Sequence, residues 1–196
     1  MRSLAAAALI LLAASAASAQ IAGSTSNSTY VSTEFRDGPK GEKIHIASGF
    51  VCPDRIGRYV RDAVGQGDIQ SGADFCSYYG FDGVYGTVTL TPLRDGYDPE
   101  QSMAPQFAEQ EGIGGKKVGE KTLTLGPKNA QLSVYTRTYE TSHLATLHYR
   151  IVFTGAAVRN WVVETSIEYA EPRDDQIEEN FLHTVYAAAT AQIGGK

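Results

Sequence analysis

Two cysteines, two methionines, one tryptophan and four histidines are scarce in a chain of 196 residues. Two thiols are too few for a disulfide-dense miniprotein or a Cys-rich zinc module. Basic residues are outnumbered, 17 against 22 acidic, which leaves a formal charge of −5. That balance excludes a protein that holds nucleic acid by neutralising phosphates. Long apolar runs are missing after the N-terminus, so no later segment offers the roughly 20 residues of a membrane span. Disorder is excluded by the opposite test, since 42% of the residues are hydrophobic and only 20% charged.

The familiar catalytic patterns are missing too. No Gly-x-Ser-x-Gly occurs; Ala47-Ser48-Gly49 lacks the first Gly. Gly112-Ile113-Gly114-Gly115-Lys116-Lys117 superficially suggests a phosphate loop, but Gln110 occupies its first glycine position and Lys117 its hydroxyl position. It reads as a helix stop and mobile loop. His143 and His148 are five apart, which is not a helical metal pair. His45, His143, His148 and His183 read as surface or satisfied strand histidines. Asp95-Gly96-Tyr97-Asp98 lacks the order of a calcium loop and reads as a turn with a helix cap. No cofactor and no metal are expected.

What is present begins with a secretory signal. Arg2 precedes an apolar run from Leu4 to Ala14, and Ala17-Ser18-Ala19 supplies the small-residue end. Cleavage is expected between Ala19 and Gln20, giving a periplasmic or secreted chain with no transmembrane segment. Residues 20–40 read as a flexible Ser/Thr-rich leader, and 41–196 as a single domain. Asn27-Ser28-Thr29 has the form of a glycosylation sequon, read as unused in a bacterial chain. Export favours a structural disulfide between Cys52 and Cys76, which closes a loop worth about 3.5 kcal/mol in the chain-entropy model.

Alternation predicts strands over 43–51, 56–64, 75–81 and 84–93, then over 122–125, 131–139, 145–153 and 158–169. A helix follows Asp98-Pro99, capped by Asp98 or, given Pro105, starting at Ser102. A second helix runs over 176–192 behind an Asp175-to-Glu178 capping box. It has Ile177, Phe181, Val185 and Ala189 on one stripe. The expected fold is α+β: an antiparallel meander with helices packed on it, including the C-terminal amphipathic helix.

Eleven tyrosines are the one compositional excess. Tyr135, Arg137 and Tyr139 share a strand face, with His148 and Arg150 placed to face them from the next strand. This interleaving suits a ligand or protein contact. It equally suits ordinary cross-strand pairs, with Glu164 and Glu168 neutralising the arginines.

The element order, with Gly49-Phe50-Val51-Cys52-Pro53 ending a strand and His148 to Tyr169 leading into the last helix, resembles that of PsbP-like and DcrB-like proteins. The resemblance implies a small exported accessory or binding protein without conventional catalysis. The expected partner is an unidentified protein or small ligand. The rival reading is a hydrolase assembled from scattered residues such as His148, Glu164 and a serine, and a third is a self-associating envelope protein. A serine or carboxylate within hydrogen-bond reach of a buried histidine, with a shifted pKa, would favour the hydrolase.

Overall fold

The computed structural model describes residues 34–80, 84–144, 147–170 and 175–193. The signal segment, Asn27 and most of the leader lie outside these residues. The described chain is α+β and mostly antiparallel sheet, closed by a C-terminal helix.

The first strands are β1 (Phe35–Asp37), β2 (Lys43–His45) and β3 (Val51–Cys52), a small sheet in that order. The expected strand over 43–51 is therefore a hairpin. Gly49 adopts φ +78° and its N–H returns to the His45 carbonyl at 2.9 Å, which folds the chain back. Gly57, at φ +56°, likewise splits the expected strand over 56–64 into β4 (Arg55–Ile56) and β5 (Tyr59–Asp68).

Next come β6 (Ala73–Tyr79), β7 (Tyr85–Pro92), the short helices α1 (Pro99–Ser102) and α2 (Ala104–Gly112), then β8 (Lys116–Leu125). Lys116 and Lys117 thus belong to a strand rather than a mobile loop. β9 (Leu132–Leu144), β10 (Leu147–Val158) and β11 (Trp161–Ala170) lead to α3 (Asp175–Gln192). The eight-stranded sheet has the order β4-β5-β6-β7-β11-β10-β9-β8. Each half follows hairpin order, and β7 pairs β11 to join them, with Thr87 opposite Ser166 and Thr89 opposite Glu164.

α3 packs its apolar stripe on one face, here the inner face. Phe181 sets its ring edge-on against Tyr59 and Tyr78, at 5.3 and 5.9 Å. Gly86 makes this possible, because a Cβ there would stand 2.9 Å from the Phe181 ring. Tyr186 is fully buried, and its hydroxyl is bonded to Thr154 and to the Val163 carbonyl. A buried hydroxyl left unpaired would cost about 1–3 kcal/mol, so this network is what allows a tyrosine there.

Two adjacent links hold the small sheet to the large one. Cys52 of β3 is disulfide-bonded to Cys76 of β6, with 6.3 Å between Cα atoms. Two residues along the same face of β6, Asp74 meets His45 Nε2 at 2.9 Å. Ser48 donates its backbone N–H to His45 Nδ1, which leaves the ring proton on Nε2 to bond Asp74. Phe35 and Trp161 flank this imidazole at about 5 Å. Replacing both cysteines by alanine should lower stability by about 3.5 kcal/mol, the loop-closure value for this separation. Equilibrium urea unfolding of the two proteins reads that difference, and an unchanged midpoint would show that His45–Asp74 suffices.

Candidate functional site: a cleft on the outer sheet face

The sheet's outer face carries its own apolar cluster, and α1 and α2 cover part of it. Asp98 caps α1 by accepting the Gln101 N–H at 3.0 Å, with Pro99 in the first turn. Met103 ends α1, and Pro105 falls in the first turn of α2, where its missing N–H costs nothing. The start capped by Asp98 is realised in α1; the start expected at Ser102 is not, because Ser102 closes α1 and the second helix begins at Ala104. Met103 and Phe107 point down onto Tyr139, Ile151 and Phe153.

Tyr135, Arg137 and Tyr139 lie together beneath this cover. Arg137 is 8% exposed, its guanidinium 4.1 Å from the centre of the Phe107 ring. It bonds Glu100 and, at 3.0 Å, Glu120. Burial opposes its charge, but Glu100, Tyr139 and Glu120 outweigh that and hold its pKa above the usual value. Tyr139 donates to Glu111 at 2.9 Å. Burial pushes the Tyr135 phenol up to about 12.

The register separates the other two candidates from these three. Phe153 stands opposite Arg137 and Ile151 opposite Tyr139, so alternation sends His148 and Arg150 to the inner face. His148 is exposed there, and Arg150 pairs with Glu140 at 2.7 Å. Glu100 and Glu120 pair with Arg137 and Glu140 with Arg150, while Glu164, one of the two expected neutralisers, accepts from Tyr97.

α1 and α2 stop short of β7, and the uncovered floor forms a cleft of about 370 Å³. Its floor is Thr87 and Thr89 of β7 with Glu164, Ser166 and Glu168 of β11. Gln106 and Gln110 of α2 stand in one wall, and Tyr85 marks one end. Among the described residues, no lysine or arginine lines it. The hydroxyls of Thr87, Thr89 and Ser166 make no hydrogen bond to another described side chain.

Glu164 lies in the floor, partly buried. Tyr97 donates to its carboxylate at 3.1 Å, and Ser102 bonds it as well. Gly155 lets this cluster close, because a Cβ there would stand 2.7 Å from the Tyr97 hydroxyl. Burial raises the Glu164 pKa, and the two hydrogen bonds only partly offset it. Tyr97 is raised as well, by burial and then by Glu164.

The serine–histidine–carboxylate arrangement sought for a hydrolase is present at Ser48, His45 and Asp74, with a Ser48 Oγ to His45 Nδ1 distance of 2.7 Å. It is closed to chemistry. The imidazole is fully buried, Ser48 is 6% exposed, and its Oγ accepts the Phe50 N–H at 3.1 Å. A nucleophile needs an open approach for its substrate and donors for the developing oxyanion. These three residues clasp the two sheets instead. Glu164 and His148 project from opposite faces and do not meet.

Among the described residues, no group of His, Cys, Asp and Glu is arranged to hold a metal ion. The chain matches no model of a known protein family, and no curated protein matches it in sequence. Sequence reasoning passed over Tyr97, Thr87 and Thr89. The signal available was the strand Tyr85–Pro92, whose outer face reads Thr-x-Thr-x-Thr with no charge.

Glu164 gives a pH test. Below its ordinary value of 4.5 the carboxyl is neutral whether the chain is folded or unfolded. As pH rises through the raised folded value, the unfolded chain ionises more readily and stability is lost. Glu164→Gln keeps an acceptor for Tyr97 and has no proton to lose. It should melt above the parent near pH 8, where the parent's buried carboxyl opposes folding. Calorimetry should show that gap closing as pH falls below about 4.5; a gap independent of pH would contradict the assignment.

Proposed function

We propose that the protein is an exported, non-catalytic binding protein whose small polar ligand occupies the outer-face cleft. One observation carries the reading. Three unpartnered hydroxyls and the Glu164 carboxyl line one space that the chain does not fill with its own side chains. The volume lies within the range of about 300–1,000 Å³ typical of small-molecule sites. In this reading Tyr135, Arg137 and Tyr139 act by holding the α2 wall in place, while His148 and Arg150 belong to the opposite face.

Export is supported by the N-terminal sequence and is compatible with the buried disulfide, a bond that persists in oxidising compartments. Among the described residues, no helix is long and apolar enough to cross a membrane. The resemblance to exported accessory proteins points the same way, toward binding rather than turnover.

Two experiments test this. The full chain expressed in a bacterium should be recovered from the periplasm beginning at Gln20, as N-terminal sequencing reads; recovery of an intact Met1 in the cytoplasm would remove the export reading. Native mass spectrometry of the protein after exposure to a small-molecule extract should show a bound mass. Thr87→Leu/Thr89→Leu, which fills the cleft floor, should lose that mass and keep its melting temperature. A mass retained by the filled variant would place binding elsewhere, and no bound mass in the parent would overturn the reading.

A further inference from the structure

We infer that the ligand class is a neutral saccharide; this rests on the reading of the cleft as a ligand site. Three features of the lining separate the candidate chemistries. An anion is disfavoured, because Glu109, Glu164 and Glu168 line the cleft and, among the described residues, no lysine or arginine does. An amine or guanidinium finds little charge at Glu164, because burial holds that carboxyl toward its neutral form and Tyr97 and Ser102 already occupy it. Sugar hydroxyls both donate and accept, as do Thr87, Thr89 and Ser166, and the Gln106 amide in the wall presents one group of each kind.

The third feature is aromatic. Tyr85 lies directly opposite Tyr79 across β6 and β7, so both rings are on the outer face. Tyr85 is 57% exposed and lines the cleft, and its neighbour Tyr79, 45% exposed, stands beside it just outside the lining. Exposed tyrosines present a flat apolar body with a polar tip. Such a surface stacks against the C–H face of a pyranose ring while the ring's hydroxyls turn to the floor. Aromatic platform, hydroxyl floor and amide wall thus meet a single chemistry, polar at its edges and apolar on its faces.

Isothermal titration with a panel of common hexoses, N-acetylhexosamines and their disaccharides tests the assignment, with putrescine as the cationic probe. At least one sugar should bind and putrescine should not. Tyr85→Ala should weaken that sugar about tenfold or more, and Tyr79→Ala should weaken it less. Both residues are exposed, so the melting temperature of each variant should stay with the parent. Binding of putrescine but of no sugar, lost in Thr87→Leu/Thr89→Leu, would overturn the saccharide class and leave the cleft as a ligand site. Sugar binding unaffected by Tyr85→Ala and by the filled cleft would overturn the class assignment at this site. No cleft-dependent binding of panel, putrescine or extract would remove both readings together.

Discussion

Strands β9 and β10 bury side chains on both of their faces, and the rest of the fold answers to that. Val134 and Val152 face inward, while Tyr139, Ile151 and Phe153 face outward, all nearly inaccessible. Burying each such side chain stabilises by about 1.5–3 kcal/mol, so neither face is left open to water. One helix covers one face. α3, with 18 residues, takes the inner side. The outer side falls to a segment between β7 and β8 that folds as two short helices rather than one. Arg137 is caught in this arrangement, because alternation places it between Tyr135 and Tyr139. A buried guanidinium is tolerated only with partners, and the covering segment brings Glu100 to it along with the Phe107 ring.

The small sheet is a different problem. Strands of two and three residues do not stand alone in water. Arg61 of β5 and Gln192 of α3 bond its backbone, and two positions of β6, Asp74 and Cys76, which share a face because they are two apart, hold its side chains. One link is covalent and the other a buried polar bond shielded by Trp161 and Phe35. The same geometry that makes His45 a good clasp removes it from catalysis. Its two nitrogens are both committed, and water does not reach it. At the far edge of the large sheet, β8 is long and, among the described residues, unpaired on one side. Lys116, Lys117 and Lys121, with the irregular register beside Gly119, discourage another strand from adding there.

The long strands were legible because alternation over ten or more residues has one reading. β10 and β11 carry large apolar side chains at every second position, and α3 repeats them every three to four. The short hairpins were not legible, because a two-residue strand has no period. Gly49 and Gly57 mark those turns only once their positive φ is known. Lys116 and Lys117 were assigned to a loop because glycines precede them and charge surrounds them, yet an edge strand is where lysines belong. The cleft was hidden for a topological reason. It needs β7 beside β11, some seventy residues apart in sequence, and nothing local in either strand announces that partner. The arginine face was visible as a pattern, but its cover was not. Whether Arg137 meets solvent depends on where a helix elsewhere in the chain comes to rest.

Threonines on an open strand face need no special cause, since β-branched residues suit strands and water accepts their hydroxyls. Glu164 is not explained that way. It sits between Thr89 and Gly155 in the pairing of three strands, under Tyr97 and beside Ser102, where burial opposes its charge. The fold asks this position only for an acceptor, which an amide supplies without the electrostatic cost. The Glu164 carboxyl lines the cleft with Thr87, Thr89 and Ser166, so the cost of its burial falls at that opening and not in the core.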